Sequence, residues 1–292
     1  MKVAIIGAKG QLGGDVVEKF AEAGDDVIPL THSDIELENL DSVARALSSR
    51  EPDVVVNTAA LHQVERCEQR PGDAYAVNAI GARNLAMVTE GLRSVLIHVS
   101  TDYVFDGKKG APYVEENVPL PLNVYGNSKL AGEYFVRTLN PRHFILRTSA
   151  LYGKRPCLGK GGLNFVDLML KLARKRGHVR VVHDEVVSPT ATSQVAKQIA
   201  ALSRCDAYGL YHATAEGECS WYEFAKEIFQ LSNTDVHLEV ATASEFPAKT
   251  PRPRYSVLEN SALKNHRLNV FTSWQEGLCE YLGVAVHASV CD

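Results

Sequence analysis

The chain opens on a short apolar run, Val3-Ala4-Ile5-Ile6, that passes directly into Gly7-Ala8-Lys9-Gly10-Gln11-Leu12-Gly13. Nothing else in the sequence restricts the fold so tightly. Glycines between a strand and a helix allow a tight turn, close approach of backbone N–H groups to a pyrophosphate, and close packing of helix on strand. The helix N-terminus adds partial positive charge beneath the phosphates. The spacing is G-x-x-G-x-x-G rather than the commoner G-x-G-x-x-G, and such glycines can also serve packing alone. Their place at the first strand–helix junction predicts a dinucleotide site.

Beyond that junction, short β-branched runs alternate with longer amphipathic stretches. This is the pattern of an α/β fold, a doubly wound parallel sheet covered by helices on both faces. Strands are predicted at 3–6, 27–30, 54–57, 95–100, 144–148 and 179–182, most without strict alternation, as burial on both faces requires. Helices are predicted at 12–23, 42–49, 74–91 and 129–138, joined by right-handed crossovers. After about residue 150 the rhythm changes. Phe165, Leu168, Met169 and Leu172 recur at helical spacing, and Arg174-Lys175-Arg176 before Gly177 forms a stop signal that compensates the helix dipole. Ser220-Trp221-Tyr222-Glu223 has capping-box spacing. The segment 246–254 carries Pro247, Pro251 and Pro253 and reads as a loop of a smaller C-terminal part. The expected division is 1–155, with returning elements around 178–213, for the dinucleotide. It leaves 156–177 and 214–292 for the substrate.

Across 292 residues, 35 acidic side chains against 31 basic ones give a net charge of −4. That argues against a nucleic-acid polymer as partner. No run approaches the ~20 apolar residues of a membrane span. The apolar start is also shorter than a signal-peptide core. The six cysteines (Cys67, Cys157, Cys205, Cys219, Cys279 and Cys291) lie far apart, with no C-x-x-C and no histidine at ligand spacing. Single thiols in a reducing cytoplasm are expected, with no metal site and no disulfide.

Three further features carry chemistry. After the second strand, Thr31-His32-Ser33 stands where a ribose-binding carboxylate is usual, and Asp34-Ile35 follows. NADPH and NADH are both compatible with this, with a lean to NADPH because nothing at the strand end repels a 2′-phosphate. Tyr125 and Lys129 are four apart, hence on one helix face. An ammonium there would favour the phenolate and ease proton transfer near neutrality. Eleven tyrosines make an accidental Tyr-x-x-x-Lys common, so the weight falls on the third element. Ser100-Thr101-Asp102 ends the fourth strand, where ligands of open α/β sheets gather. Thr101 offers a hydroxyl to polarise a carbonyl, Tyr125 an acid and Lys129 a tuning charge. Together they suit hydride transfer.

These motifs, in this order, resemble the extended short-chain dehydrogenase/reductase superfamily. Within it, the chain is similar to the dTDP-4-dehydrorhamnose reductase family, whose members reduce the C4 ketone of a nucleotide-activated sugar. The resemblance covers nearly the whole chain. It rests on GAKGQLG, on Val56-Asn57-Thr58-Ala59-Ala60, on Ser100-Thr101-Asp102-Tyr103-Val104-Phe105, and on Pro121-Leu122-Asn123-Val124-Tyr125-Gly126 with Ser128-Lys129-Leu130-Ala131-Gly132-Glu133. Ser188-Pro189-Thr190, Gly209-Leu210-Tyr211-His212 and Arg252-Pro253 complete it.

The resemblance implies a Rossmann domain with a smaller C-terminal α/β substrate-binding domain. Gly7, Gly10, Gln11, Leu12 and Gly13 would meet the pyrophosphate, and Asp34 and Ile35 the adenosine. Ala59, Ala60, Leu61 and Val99 would join Tyr125 and Lys129 on the nicotinamide side. His62, Thr101, Asp102, Tyr103 and Ala150 would surround the sugar. Asn164, with Phe165, and Arg254 would take the nucleotide-diphosphate end, where an arginine fork suits phosphate. Asn78 would support the site or simply pack its helix. The implied partner is a nucleotide-diphosphate deoxysugar, and a homodimer is compatible.

One departure stands out. Where the family commonly places Trp against the sugar, this chain has Ala150, which removes an aromatic platform worth ~1 kcal/mol and enlarges the pocket. A different or additionally substituted deoxysugar would fit. The competing readings are an epimerase or 4,6-dehydratase and a non-catalytic regulatory subunit. A dehydratase needs extra carboxylates in a pattern like Thr-Asp-Glu, and Tyr103 holds the third position. A regulatory subunit need not keep Thr101, Tyr125 and Lys129.

Overall fold

The structure is a computed structural model that describes residues 1–157, 161–246 and 248–285. Cys291 and Pro247 lie outside the described residues. The central sheet is built from β1 (Lys2–Ile6), β2 (Asp26–Leu30), β3 (Val54–Asn57), β4 (Val95–Thr101), β5 (His143–Thr148) and β10 (Gly209–His212). Its order is β10-β5-β4-β3-β1-β2, with every pair parallel. The chain leaves β1 to one side for β2 and returns to the other for β3. That reversal opens a crevice at the carboxyl ends of β1 and β3, where such folds bind ligands.

Helices α1 (Gln11–Glu22), α2 (Leu40–Ser48), α3 (Val64–Gln69), α4 (Pro71–Tyr75), α5 (Gly81–Gly91) and α6 (Val124–Leu139) follow through the first half. The single helix expected over 74–91 is interrupted: Ala76–Ile80 forms a π-helical turn between α4 and α5. The second half holds α7 (Phe165–Arg176), α8 (Thr192–Leu202), α9 (Trp221–Leu231), α10 (Ser261–Asn265) and α11 (Trp274–Leu282). It also holds β6 (Leu151–Tyr152), β7 (His178–Val182), β8 (Val186–Val187), β9 (Thr190–Ala191), β11 (Cys219–Ser220) and β12 (His237–Ala241). Gly177 closes α7 in the left-handed conformation at φ 65°. Ser220 and Glu223 form the full capping box of α9.

The strand expected at 179–182 forms, but outside the central sheet. It is part of β7, which among the described residues pairs with β12 alone. The sixth strand of the sheet is instead β10 beside β5. Apolar clusters pack both faces of the central sheet, and a third, with Val166, Phe224, Ile228 and Leu278, gathers α7, α9 and α11 on β7.

His212 on β10 is fully buried. Its Nδ1 lies 3.0 Å from Tyr113 O and 3.2 Å from Glu259 O, so that nitrogen carries the proton. Burial, aided by the Arg147 charge, pushes its pKa down to about 3. An unfolded histidine titrates near ~6.5, so the unfolded chain binds the extra proton below that pH. Stability is therefore complete above about pH 6.5 and declines as the pH falls toward 3, by about 2 kcal/mol at pH ~5 from this residue. Replacing His212 with Gln should flatten the dependence of Tm on pH between those limits. An unchanged slope would show that the ring is not held neutral.

Candidate active site

The glycine loop is a cradle in which side chains have no room. Gly7 has φ 81°, and a Cβ there would lie 2.7 Å from Thr58 Oγ1. A Cβ on Gly13 would lie 2.1 Å from Gly7 O. Helix α1 starts at Gly10 without a side-chain cap, so its first N–H groups face the β1–β3 crevice. Leu12 is buried beneath. Gln11 reaches across to the second half, its Nε2 donating to Gly153 O at 3.2 Å and Arg155 O at 3.3 Å. The backbone fits a diphosphate: close approach without Cβ atoms, over a helix start.

At the end of β2, Asp34 is exposed but engaged. The Thr31 hydroxyl and backbone N–H donate to its Oδ2 at 2.7 and 2.8 Å, holding its carboxyl below the usual range. Ile35 is buried in the apolar cluster under that turn. His32 is exposed.

After β3 the chain runs through Ala59, Ala60, Leu61 and His62, all half-buried. Asn78, on the π turn, fixes this segment: its Oδ1 accepts from Leu61 N at 2.9 Å and its Nδ2 donates to Leu61 O at 3.0 Å and Ser128 Oγ at 2.9 Å. A π turn is a common device at functional sites. Here it lets one buried amide join the crevice segment to α6.

Thr101, Tyr125 and Asp102 meet at the carboxyl end of β4. The Tyr125 hydroxyl is hydrogen-bonded with Thr101. Thr101 Oγ1 donates to Asp102 Oδ1 at 3.0 Å, and Ser149 Oγ to Asp102 Oδ2 at 2.9 Å. Ser256 adds a further bond to the same carboxyl. Burial raises the Asp102 pKa while these hydroxyls oppose the rise. Tyr103 packs edge-on against Tyr125, with ring centroids 5.7 Å apart.

Burial raises the Tyr125 pKa, with the Thr101 hydroxyl opposing the rise, so burial works against the lowering expected of a lysine ammonium. The Lys129 Nζ donates to Val99 O at 2.7 Å and lies 3.3 Å from His98 Nε2. Burial brings its pKa down to about 8, partly opposed by Glu133.

Two expected substrate residues are placed differently. Asn164 caps α7, and its Nδ2 is spent on Gly153 O, Asp167 and the Tyr281 hydroxyl, each at 2.9 Å. Arg254 is 69% exposed, its nearest acid Asp184 at 3.9 Å. Arg252, two residues earlier, is the arginine whose charge acts on Tyr103, and it also pairs with Glu65. Alternation along an extended chain turns neighbours two apart to one side, so the choice between the two depended on how the loop is tethered. Asn123 Nδ2 holds it by Pro251 O at 3.0 Å.

Sequence reasoning missed Ser149, Ser256, Asn57 and His98, which are distant in the chain. It also missed a surface group of His178, His237 and Glu239, whose ligand-type atoms lie within 4.8 Å of one another. That carboxylate is already engaged, by His178 at 2.8 Å and Arg180 at 3.6 Å, so the group reads as a charge network across β7 and β12. The five described cysteines are unpaired thiols.

A family model described as "RmlD substrate binding domain" matches residues 1–286. The chain belongs to the dTDP-4-dehydrorhamnose reductase family. It is 39% identical over its full length to 99% of the spore coat polysaccharide biosynthesis protein SpsK of Bacillus subtilis. It is 34% identical, over 94% of its length and 95% of the relative's, to dTDP-4-dehydrorhamnose reductase of Sinorhizobium fredii. Among solved structures, a Bacillus anthracis dTDP-4-dehydrorhamnose reductase in complex with NADP superposes with a TM-score of 0.92 at 37% identity, covering 97% of this chain and 99% of that one. Within this family frame, Ala150 has a left-handed backbone at φ 45°. Such a conformation costs a non-glycine residue roughly 1–2 kcal/mol, so the turn after β5 is held in place by its surroundings.

Proposed function

We propose that this chain reduces the C4 ketone of a dTDP-4-keto-6-deoxysugar, with dTDP-4-dehydrorhamnose or a related deoxysugar as substrate. The observation that carries the reading is the Thr101–Tyr125 hydroxyl pair at the edge of the glycine-lined crevice. The glycine cradle, the start of α1 and the Ala59–Leu61 segment would hold NADPH or NADH. When bound in reduced form, that dinucleotide supplies the hydride.

On substrate binding the Thr101 hydroxyl would turn its proton from Asp102 to the ketone oxygen, and Tyr125 would donate the proton that O4 gains. The high pKa of a buried phenol suits a donor that must keep its proton until the alkoxide develops. Asp102 would orient Thr101 rather than exchange protons, since its oxygens already take up three hydroxyls. Arg252 and the exposed Arg254 would face the nucleotide diphosphate. The segments 156–177 and 214–292 would enclose the sugar, with Ala150 leaving room at its rim. A homodimer and a cytoplasmic setting are part of the same proposal, the latter supported by the free thiols.

The test is direct. Pure protein mixed with dTDP-4-keto-6-deoxysugars and NADPH should consume NADPH absorbance in step with ketone loss. Failure to turn over any such ketosugar would overturn the proposal.

A further inference from the structure

Strands β7 and β12 form a parallel pair apart from the central sheet, and each begins with a histidine. His178 and His237 are register partners, so their imidazoles leave neighbouring backbones at one point of the pair. His237 N donates to Gly177 O at 2.9 Å, which fixes the two backbones relative to each other. The rings stack, with centroids 5.1 Å apart and planes inclined by 25°. Glu239 lies two residues further along β12, on the same face as His237. Its Oε2 is 2.8 Å from His178 Nε2. One ligand-type atom from each residue lies within 4.8 Å of the other two, and all three side chains are exposed.

The charge network described above does not use up these ligands. Among the described residues no hydrogen bond engages the His237 ring, which stacks on His178. Arg180 reaches Glu239 only at 3.6 Å. Its guanidinium is also paired with Glu245 and lies over the Phe246 ring, 5.7 Å from the centroid. Arg180 can therefore give up Glu239 without being left unpaired. Zinc holds nitrogen and oxygen ligands at ~2.0–2.2 Å, so tetrahedral ligand atoms stand about 3.4 Å apart. The contact at 2.8 Å has to open slightly and the widest gap, 4.8 Å, has to close by about 1.4 Å to meet that spacing. Side-chain torsions alone can supply both changes on exposed residues.

We infer that His178, His237 and Glu239 bind one borderline divalent cation of the zinc class, Zn²⁺ or Ni²⁺, with a fourth position open to water. Two imidazoles and one carboxylate favour such an ion over Mg²⁺ and Ca²⁺, which take oxygen ligands. The ion braces the smaller half of the chain, because it ties the residue that follows the Gly177 cap of α7 to the start of β12. No residue of the glycine-lined crevice takes part, so the site stands apart from the reductase reading. His178 and His237 are far apart in the chain and become neighbours only through strand register, which is why no ligand spacing shows in the sequence.

Calorimetric titration of the tag-free, EDTA-treated full chain with NiCl2 and with ZnCl2 tests this. One saturable ion per chain is expected, and millimolar Mg²⁺ should not displace it. His178→Gln and His237→Gln should each weaken binding by at least ~10-fold, and Glu239→Gln should weaken it less. Zn²⁺ should move the ring-nitrogen NMR signals of both histidines together. It should also raise Tm in the wild type and not in either histidine variant. Without metal the variants should melt close to the wild type, since exposed ion pairs contribute little. Binding that survives His237→Gln undiminished would put the ion on the thiols or on a lone imidazole and overturn the inference. Displacement by Mg²⁺, or no saturable binding, would do the same. If a variant does not fold, the wild-type ring-nitrogen shifts decide.

Discussion

Tyr125→Phe is expected to lower kcat by at least ~100-fold, the scale of a lost general acid, while leaving the dissociation constant of NADPH nearly unchanged. The ring stays: its packing against Tyr103, with centroids 5.7 Å apart, involves no hydroxyl. What disappears is the acidic hydroxyl hydrogen-bonded with Thr101. An interaction made only as the alkoxide develops lowers kcat and kcat/KM together, so KM should hardly move. Steady-state kinetics on a ketosugar with a parallel cofactor titration separates these terms. A variant as active as wild type would assign the proton to another group. The buried Cys67 thiol, pushed up to about 11, and the hydroxyl-bound Asp102 are poor substitutes near neutrality.

Glu133→Leu should destabilise the fold by ~3–5 kcal/mol, the cost of leaving a buried charge unpaired, and lower Tm by on the order of 10 °C. Glu133 and Arg147 are both 2% exposed at the side chain. The guanidinium Nε donates to Glu133 Oε1 at 2.9 Å and Nη2 to Oε2 at 2.6 Å, and Ser100 Oγ adds a bond to Oε1 at 2.5 Å. Removing the carboxylate strands Arg147 over the Phe105 ring, 5.2 Å from its centroid. The double variant Glu133→Leu with Arg147→Met should recover most of the loss, because apolar replacement of a buried ion pair is often neutral. Thermal melts of the two variants decide this. If the double variant were no more stable than the single one, the loss would come from packing and not from the stranded charge. Glu133 also favours the charged form of Lys129, so the single variant should lower the titration midpoint of that lysine further.

Much of this architecture was legible in the residues, for identifiable reasons. Strands β1, β3, β4 and β5 are short apolar runs, and their burial on both faces is written in composition alone. The glycine cradle was legible because its spacing has a steric cause. Two strands were misjudged. β7 alternates exposed and buried residues, His178 out, Val179 in, Arg180 out, Val181 in, and that alternation signals a sheet covered on one face. β10 is a four-residue edge strand, too short to stand out from its loops. The π turn has no periodic signature, since one extra residue in a turn leaves the apolar spacing nearly intact. Within the site, Thr101, Tyr125 and Lys129 could be found from order and spacing. The buried contacts of His98 with Asn57, 3.1 Å, and with Lys129, 3.3 Å, could not, because strand register brings Asn57 and His98 together.

The carboxyl of Asp102 gathers hydroxyls from three stretches of chain: Thr101 beside it, Ser149 after β5, and Ser256 more than a hundred residues later. The glycine cradle is no more local than that carboxyl, although its glycines are among the first residues made. Helix α1 packs through Leu12, Val16 and Phe20 on Val195, Ile199 and Leu202 of α8, and Gln11 is held by Gly153 O and Arg155 O. The seat for the dinucleotide and the grip on the ketone therefore both wait for the second half of the chain, and a truncated chain should have neither.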